Sequence, residues 1–127
     1  MSSDKTVVFV CLHGTGMSRL AAALFNHVAP TGWRAVSAGL APGEALSPTA
    51  ARLLEGTSAE PFLDCEAPRR LETVSPADRL ITVSNPQIRF EVPGAETWRL
   101  HSTEFAEPMR DEIRTRVNAL ADSLRAD

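Results

Sequence analysis

The sequence is short of cysteine, of basic residues and of long hydrophobic runs. Its 13 Lys and Arg residues stand against 16 Asp and Glu, so the net charge of -3 offers no basic excess for binding nucleic acid or an anionic membrane. No apolar run approaches the ~20 residues of a membrane-spanning helix, and the polar residues 1–6 do not resemble a signal peptide. The two cysteines, Cys11 and Cys65, are too few for a disulfide framework. We therefore expect a cytoplasmic protein with reduced thiols.

Apolar strands and amphipathic helices alternate along the 127 residues. The pattern predicts strands at 6–10, 33–39, 79–83 and 97–100, and a short edge strand at 61–64. It predicts helices from Ser18 to before Pro30, from Ser47-Pro48 to Gly56, and over 108–125, with a helical turn at 75–78 and a short helix at 87–92. This alternation predicts an α/β fold, a three-layer sandwich with a four-stranded parallel sheet, in one domain of residues 1–127.

The segment that follows the first strand contains the residues with most chemical potential. Cys11 ends the apolar run, a loop with Gly14 and Gly16 follows, and Ser18 is placed to cap the next helix. A strand end, a tight loop and a helix N-terminus bring backbone N–H groups and a thiol to one point, which favours an anion and a thiolate. The alternative is a small buried hydrophobic residue at a strand end. The loop favours the functional thiol.

Polar side chains also follow two later strands. Ser84 comes after the third strand and His101 after the fourth. Because ligands in such sheets bind beyond the carboxyl ends of the strands, we expect Cys11, Ser84 and His101 to face one crevice.

With these segments in this order, the sequence resembles the low-molecular-weight protein tyrosine phosphatases and the thioredoxin-coupled arsenate reductases that share their fold. The resemblance implies the phosphotyrosine protein phosphatase I-like, Rossmann-like fold. It also implies a mechanism in which a cysteine thiolate attacks phosphorus, loop amides and an arginine bind the phosphoryl oxygens, and an aspartic acid protonates the leaving group. The matching segments are Cys11-Leu12, Ala21, Ala23-Leu24-Phe25, Ser37-Ala38-Gly39, Leu80-Ile81-Thr82-Val83 and Asp111-Glu112-Ile113-Arg114.

Two residues that the resemblance requires are missing. The family places an arginine after Cys and five residues, and this sequence has Met17 there, with Ser18 behind it. Methionine offers neither a bidentate hydrogen bond nor a charge, so the chain carries a degenerate phosphate loop. Arg19 follows on the helix, where its side chain is expected to point away from the concave side of the loop; a rescue by Arg19 is the alternative.

The late-loop aspartate is also absent. His101 occupies that region and could replace the acid, since imidazole exchanges protons near neutral pH; the alternative is a histidine in a surface loop. His13 stands where the family has a small residue, and it could contact a ligand, pair with Cys11 or obstruct phosphate. Glu104 is more readily explained as a solvated carboxylate.

The reductase branch needs two further cysteines, but the chain has Ser84 and Val92 at those places, and Cys65 lies on another connector. We therefore expect neither an efficient phosphotyrosine phosphatase nor an arsenate reductase. The candidate catalytic residues are Cys11, His13, His101 and Ser18. The candidate ligand-binding residues are Leu12, Gly14, Thr15, Gly16, Met17, Arg19 and Ser84.

These residues favour a divergent enzyme in which the Cys11 thiol acts on a small-molecule or protein-bound substrate other than phosphotyrosine. Met17 makes the loop more apolar, which suits a less charged substrate, and a biosynthetic role would fit. A catalytically inactive binding or regulatory protein is the first alternative, and a conventional phosphatase using Arg19 and Glu104 is the second. We expect no cofactor and no metal. The sequence leaves the oligomeric state open.

Overall fold

Four parallel strands form the single sheet of the computed structural model, which describes residues 5–43, 45–74 and 76–125. The strands are β1 (Lys5–Cys11), β2 (Trp33–Gly39), β3 (Arg79–Ser84) and β4 (Glu96–Arg99). The helices are α1 (Met17–Val28), α2 (Pro48–Leu54), α3 (Leu71–Val74) and α4 (Glu107–Arg125), with a 3-10 turn at Glu60–Phe62. The spatial order β2-β1-β3-β4 confirms the predicted α/β fold with a four-stranded parallel sheet.

Strand β1 lies in the middle of the sheet and is covered on both faces. Successive side chains of a strand point to opposite faces, so Val7 and Phe9 join one hydrophobic cluster while Val8 and Val10 join the other. The rings of Phe25 and Trp98 lie 6.2 and 5.4 Å from the Phe9 ring, measured between centroids. The continuous apolar run of β1 is therefore explained by two packed layers.

Helix α4 covers one face of the sheet together with α1. Its apolar stripe is buried as the sequence predicts, while charged residues occupy the opposite side. In the described ranges, no helix combines the length and the apolar character needed to span a bilayer. The buried residues of the predicted stripe are Met109, Ile113, Val117, Leu120 and Leu124.

Two of the short predicted elements are wrong. The edge strand predicted at 61–64 is a 3-10 turn over Glu60–Phe62, because Pro61 favours the first positions of a helical turn. The helix predicted at 87–92 does not form. Instead, the side-chain oxygen of Asn85 accepts the N–H groups of Gln87 and Ile88 at 3.0 and 2.8 Å and fixes a turn there.

One other predicted element changes its position, and one predicted boundary is confirmed. The helical turn predicted at 75–78 falls partly on Ser75, outside the described residues, and the helical segment lies earlier, at Leu71–Val74. The predicted start of the second helix is confirmed, because the Ser47 hydroxyl accepts the Thr49 N–H at 3.3 Å.

The order of the strands determines where a ligand can bind. The chain moves from β1 to β2 on one side and then returns to β3 and β4 on the other side. A crevice therefore opens beyond the carboxyl ends of β1 and β3, where the direction of the strand order reverses. The loops that begin at residues 12, 85 and 100 all leave the sheet at this edge.

Asn26 on α1 binds the outer edge of β2 as a further strand would. Its side chain donates to the Ala35 carbonyl at 3.0 Å and accepts the Ala35 N–H at 2.7 Å. Asn26→Ala leaves both buried backbone groups of Ala35 without this partner, so we expect a loss of about 1–3 kcal/mol in the free energy of unfolding. Urea unfolding monitored by circular dichroism measures the change.

Asn118→Ala is the matched control, because Asn118 lies exposed on α4 and we expect it to change the unfolding free energy by less than about 0.5 kcal/mol. Equal effects of the two substitutions would contradict a role for Asn26 in holding β2.

Candidate active site

The loop between β1 and α1 has six consecutive carbonyl groups, from Cys11 to Gly16, that all accept hydrogen bonds from outside the loop. Backbone N–H groups bind five of them at 2.8–3.3 Å, and the Arg19 guanidinium binds the carbonyl of Gly14 at 2.9 Å. The backbone donors are Leu40 for Cys11, Ala41 for Leu12, Gly43 for His13, Ser47 for Thr15 and Leu20 for Gly16.

The outward carbonyls determine where the amides of the loop point. A peptide unit is planar and trans, so its N–H points opposite to its C=O. The peptide between His13 and Gly14 shows the effect, since its carbonyl binds Gly43 while its N–H donates to the Cys11 sulfur at 3.2 Å. The loop is therefore a nest of inward N–H groups around the thiol, an arrangement that binds negative charge.

Close packing against β2 holds the nest in shape. Gly14 has a φ of 67°, in the region that favours glycine, and a Cβ there would lie 2.8 Å from the Gly39 nitrogen. A Cβ on Gly39 would lie 2.6 Å from the His13 carbonyl carbon. Backbone touches backbone at this point, so neither position has room for a side chain.

Cys11 is only 4% exposed, and its sulfur has two hydrogen-bond partners in the loop and the helix. The Ser18 hydroxyl lies 3.1 Å from the sulfur and 3.4 Å from the Ala38 carbonyl. Ser18 does not cap the helix as predicted, because α1 already begins at Met17 and Gly16 takes the capping position. Its hydroxyl is free of the helix backbone and donates either to a Cys11 thiolate or to Ala38.

A cavity of about 400 Å³ opens beside Cys11. Leu12, Met17, Ile88 and Phe105 supply an apolar part of its wall. Met17 stands at the position where the family that the sequence resembles has a phosphate-binding arginine. The residue is 7% exposed. Among the residues that the structure describes, no lysine or arginine lines this cavity.

The other part of the wall is polar and, among the described residues, contains one carboxyl group. Glu104 lines the cavity from the loop after β4, and Asn85 and Gln87 line it from the loop after β3. Sequence reasoning favoured a solvated Glu104 because no acidic residue directly follows the last strand. The sequence does show an acidic residue within the late loop. It does not show that the path of this loop brings the residue to the cavity.

Arg19 does not line the cavity: its side chain points away from the concave side of the loop as expected, and its alternative role as a ligand-binding residue is corrected. Its side chain is 1% exposed and passes along the outer side of the loop, where Nε donates to Gly14 and Nη1 donates to the Asp64 carbonyl at 2.7 Å. The Asp64 carboxylate lies 3.8 Å from Nη1 and also pairs with Arg69. Burial lowers the pKa of Arg19, while Asp64 and Cys11 act in the opposite direction.

Two other predicted residues are placed differently from the expectation. His101 is 88% exposed and does not line the cavity, because Glu112 binds the N–H of this residue and turns the segment outward. Ser84 lines an adjacent cavity with Arg89 and Arg99 rather than the one beside Cys11, so the expected common crevice of Cys11, Ser84 and His101 does not form.

His13 lines the Cys11 cavity, where it can contact a ligand as one of the predicted alternatives requires. Its Nδ1 lies 3.1 Å from the Ala41 carbonyl, so it does not pair with Cys11, whose partners are Ser18 and Gly14. Of the remaining loop candidates, Thr15 and Gly16 line the cavity, as Leu12 and Met17 do, whereas Gly14, which packs against Gly39, does not.

Solved structures with this architecture include enzymes of known activity. An arsenate reductase from Archaeoglobus fulgidus is 31% identical to this chain, with a TM-score of 0.70, over 91% of this chain and 98% of that one. An arginine phosphatase from Geobacillus stearothermophilus is 22% identical with a TM-score of 0.71, over 96% and 94%. A low molecular weight protein tyrosine phosphatase from T. tengcongensis is 17% identical with a TM-score of 0.70, over 94% and 99%.

The last two similarities show a shared fold alone. No family model matches the sequence, and no curated protein matches it.

Glu112 on α4 fixes the start of the loop that carries Glu104 and Phe105. Its carboxylate accepts the N–H groups of His101 and Ser102 at 2.7 and 3.1 Å and the Ser102 hydroxyl at 3.1 Å. Burial raises the pKa of Glu112, but these donors outweigh burial and hold the pKa below its usual value. The carboxylate is thus stabilised in the folded state.

A lowered pKa in the folded state contributes stability above the unfolded-state pKa, and this contribution is lost as the pH falls through the folded-state pKa. We expect Glu112→Gln to destabilise the protein at pH 7, and the difference from wild type to shrink as the pH falls below about 4. Urea unfolding between pH 3 and pH 7 measures the difference. The exposed Glu55→Gln serves as control, and a pH-independent difference for Glu112→Gln would contradict the electrostatic origin.

Proposed function

Since the chain belongs to the superfamily of low-molecular-weight protein tyrosine phosphatases and arsenate reductases, we propose that it is a cysteine-dependent enzyme acting on an electrophile with at most one negative charge. The observation that carries this proposal is the combination of an intact nest around Cys11 with Met17 in place of a cation. The Cys11 sulfur can still attack an electrophile, and the N–H groups of the nest can still bind one developing oxyanion. The nest lacks the charge to hold a phosphomonoester dianion.

The energetics of phosphoryl transfer support this choice of substrate. Removing an arginine that stabilises transferring phosphoryl oxygens costs ~10³ to 10⁵ in rate. In this cavity, a dianion would meet the Met17 side chain on one side and the Glu104 carboxyl group on another. A neutral ester, thioester or related acyl group avoids that repulsion, and its tetrahedral intermediate carries a single negative charge that backbone N–H groups stabilise.

The proposed reaction has two steps. The Cys11 sulfur forms a bond to the electrophilic carbon while the bond to the leaving group breaks, and the Glu104 carboxyl group donates the proton that the leaving group needs. Water then attacks the thioester, Glu104 takes its proton, and the thiolate leaves. Ser18 donates its hydrogen bond to the thiolate in both steps, which the distance of 3.1 Å allows.

A conventional phosphatase based on Arg19 has less support. Such an enzyme needs the guanidinium within the cavity, whereas Nε and Nη1 of Arg19 donate to the carbonyls of Gly14 and Asp64 on the outer side of the loop. Arsenate reduction through a chain of cysteines has less support as well, because Cys65 is exposed on the connector after the 3-10 turn.

An acyl substrate tests the proposed function directly. We expect p-nitrophenyl acetate to give a burst of about one p-nitrophenol per chain, followed by slower turnover, as acylation of a nucleophile at Cys11 requires. The burst should persist in Cys65→Ser and disappear in Cys11→Ser. A burst that is equally small in all three proteins would support the alternative of a non-catalytic binding protein.

Restoring the missing cation tests the reason for the changed substrate. We expect wild type to leave p-nitrophenyl phosphate almost untouched, and Met17→Arg to raise its hydrolysis by at least about 10²-fold, since the rest of the nest is in place. Met17→Gln, which adds a polar group without charge, is the matched control. If wild type already hydrolyses the phosphate, and Arg19→Ala abolishes this activity while Met17→Ala does not, the conventional phosphatase is correct.

A further inference from the structure

The two reaction steps proposed for Cys11 do not involve Arg19. Its side chain is nevertheless the largest fully buried one in the described part of the protein. One of its nitrogens, Nη2, is buried with no hydrogen-bond partner among the described residues. Burying a charged group and an unpaired hydrogen-bond donor disfavours the folded state. Other interactions of Arg19 have to offset this loss of stability.

The first contribution of Arg19 is to the orientation of a peptide. Its Nε donates to the Gly14 carbonyl at 2.9 Å, and this is the one loop carbonyl from Cys11 to Gly16 that is held by a side chain instead of a backbone N–H. Because the peptide is trans and planar, an outward Gly14 carbonyl turns the Thr15 N–H inward. Arg19 therefore completes the nest at the point where the backbone supplies no donor.

The second contribution of Arg19 is its charge. A negative charge on the Cys11 sulfur acts to raise the pKa of Arg19, and opposite charges this close attract each other. Asp64 lies on the far side of the guanidinium, with Oδ1 3.8 Å from Nη1, and it also pairs with Arg69, so part of its negative charge is already compensated.

We propose that Arg19 is a positioning residue for the chemistry of Cys11, which acts from behind the loop by orienting the Thr15 amide inward and by stabilising the thiolate. In this arrangement the cation activates the nucleophile without entering the substrate cavity. The inference rests on the thiolate nucleophile of the proposed function. It assigns to Arg19 a role other than ligand binding.

The test is the pH dependence of the alkylation rate of Cys11 by iodoacetamide, measured in a Cys65→Ser background so that one thiol reacts. Arg19→Gln keeps a donor but removes the charge, and we expect it to raise the midpoint of the profile by roughly 0.5–1 pH unit. The rate at pH 7 should then fall about three- to tenfold. Arg19→Lys, which retains the charge, should shift the midpoint less.

Asp64→Asn gives the opposite sign and separates an electrostatic role from a structural one. It removes a negative charge behind the loop but keeps the Asp64 backbone carbonyl that binds Nη1, so we expect the midpoint to fall. Arg69→Gln is the matched control, because Arg69 pairs with the same carboxylate but its other side-chain contacts go to Glu66 and to the Ser37 carbonyl in β2 and not to the loop.

Each outcome has one meaning. A higher midpoint in Arg19→Gln with a lower midpoint in Asp64→Asn supports the proposal. An unchanged midpoint in Arg19→Gln, or a shift in the same direction in both variants, overturns it, and Arg19→Lys with Asp64→Asn decides if Arg19→Gln does not fold. A wild-type midpoint near the ~8.5 of an unperturbed thiol contradicts the thiolate of the proposed function itself, whatever the variants show.

Discussion

The site depends on one constraint, the outward direction of the carbonyl groups from Cys11 to Gly16. Because each peptide is planar and trans, a carbonyl group that points outward to a donor outside the loop turns the N–H group of the same peptide inward. Most of the donors belong to the segment after β2 and to the start of α2, so the parallel pairing of β1 with β2 brings them into place. The fold and the chemistry of the loop are therefore linked through the backbone, and the side chains of the loop are free to vary within it.

Two electrostatic tasks that one arginine could perform are divided in this protein. Binding of a charged substrate requires a cation inside the cavity, where the chain has Met17. Stabilisation of negative charge on Cys11 requires only a cation nearby, and Arg19 occupies a buried position behind the loop. In the role that we propose for Arg19, the two tasks depend on opposite sides of the same backbone, so the loss of the cation that binds a dianion would leave the stabilisation of a thiolate intact.

Sequence reasoning succeeded where a pattern is local. The apolar run of β1, the Ser47 cap and the stripe of α4 are decided by neighbouring residues, and all three are confirmed. It failed where partners are remote. Arg19 binds the carbonyl of a residue 45 positions away, and Glu104, exposed as the sequence predicts, lines the cavity from a loop whose first residues are bound by Glu112. The turn after β3 was mistaken for a helix because the two hydrogen bonds of the Asn85 side chain leave no periodic signal.

The contact between Gly14 and Gly39 fixes the backbone of the loop between β1 and α1. Each glycine leaves no room for a side chain on the other segment, so the backbone of the loop is set before any ligand arrives, and little ordering entropy is lost on binding. The side chains of His13, Thr15 and Met17 project from this fixed frame into the cavity. Met17 also belongs to the hydrophobic core, so a combinatorial library confined to His13 and Thr15 would vary the cavity wall while sparing the core, which makes these two positions a natural starting point for changing what the loop binds.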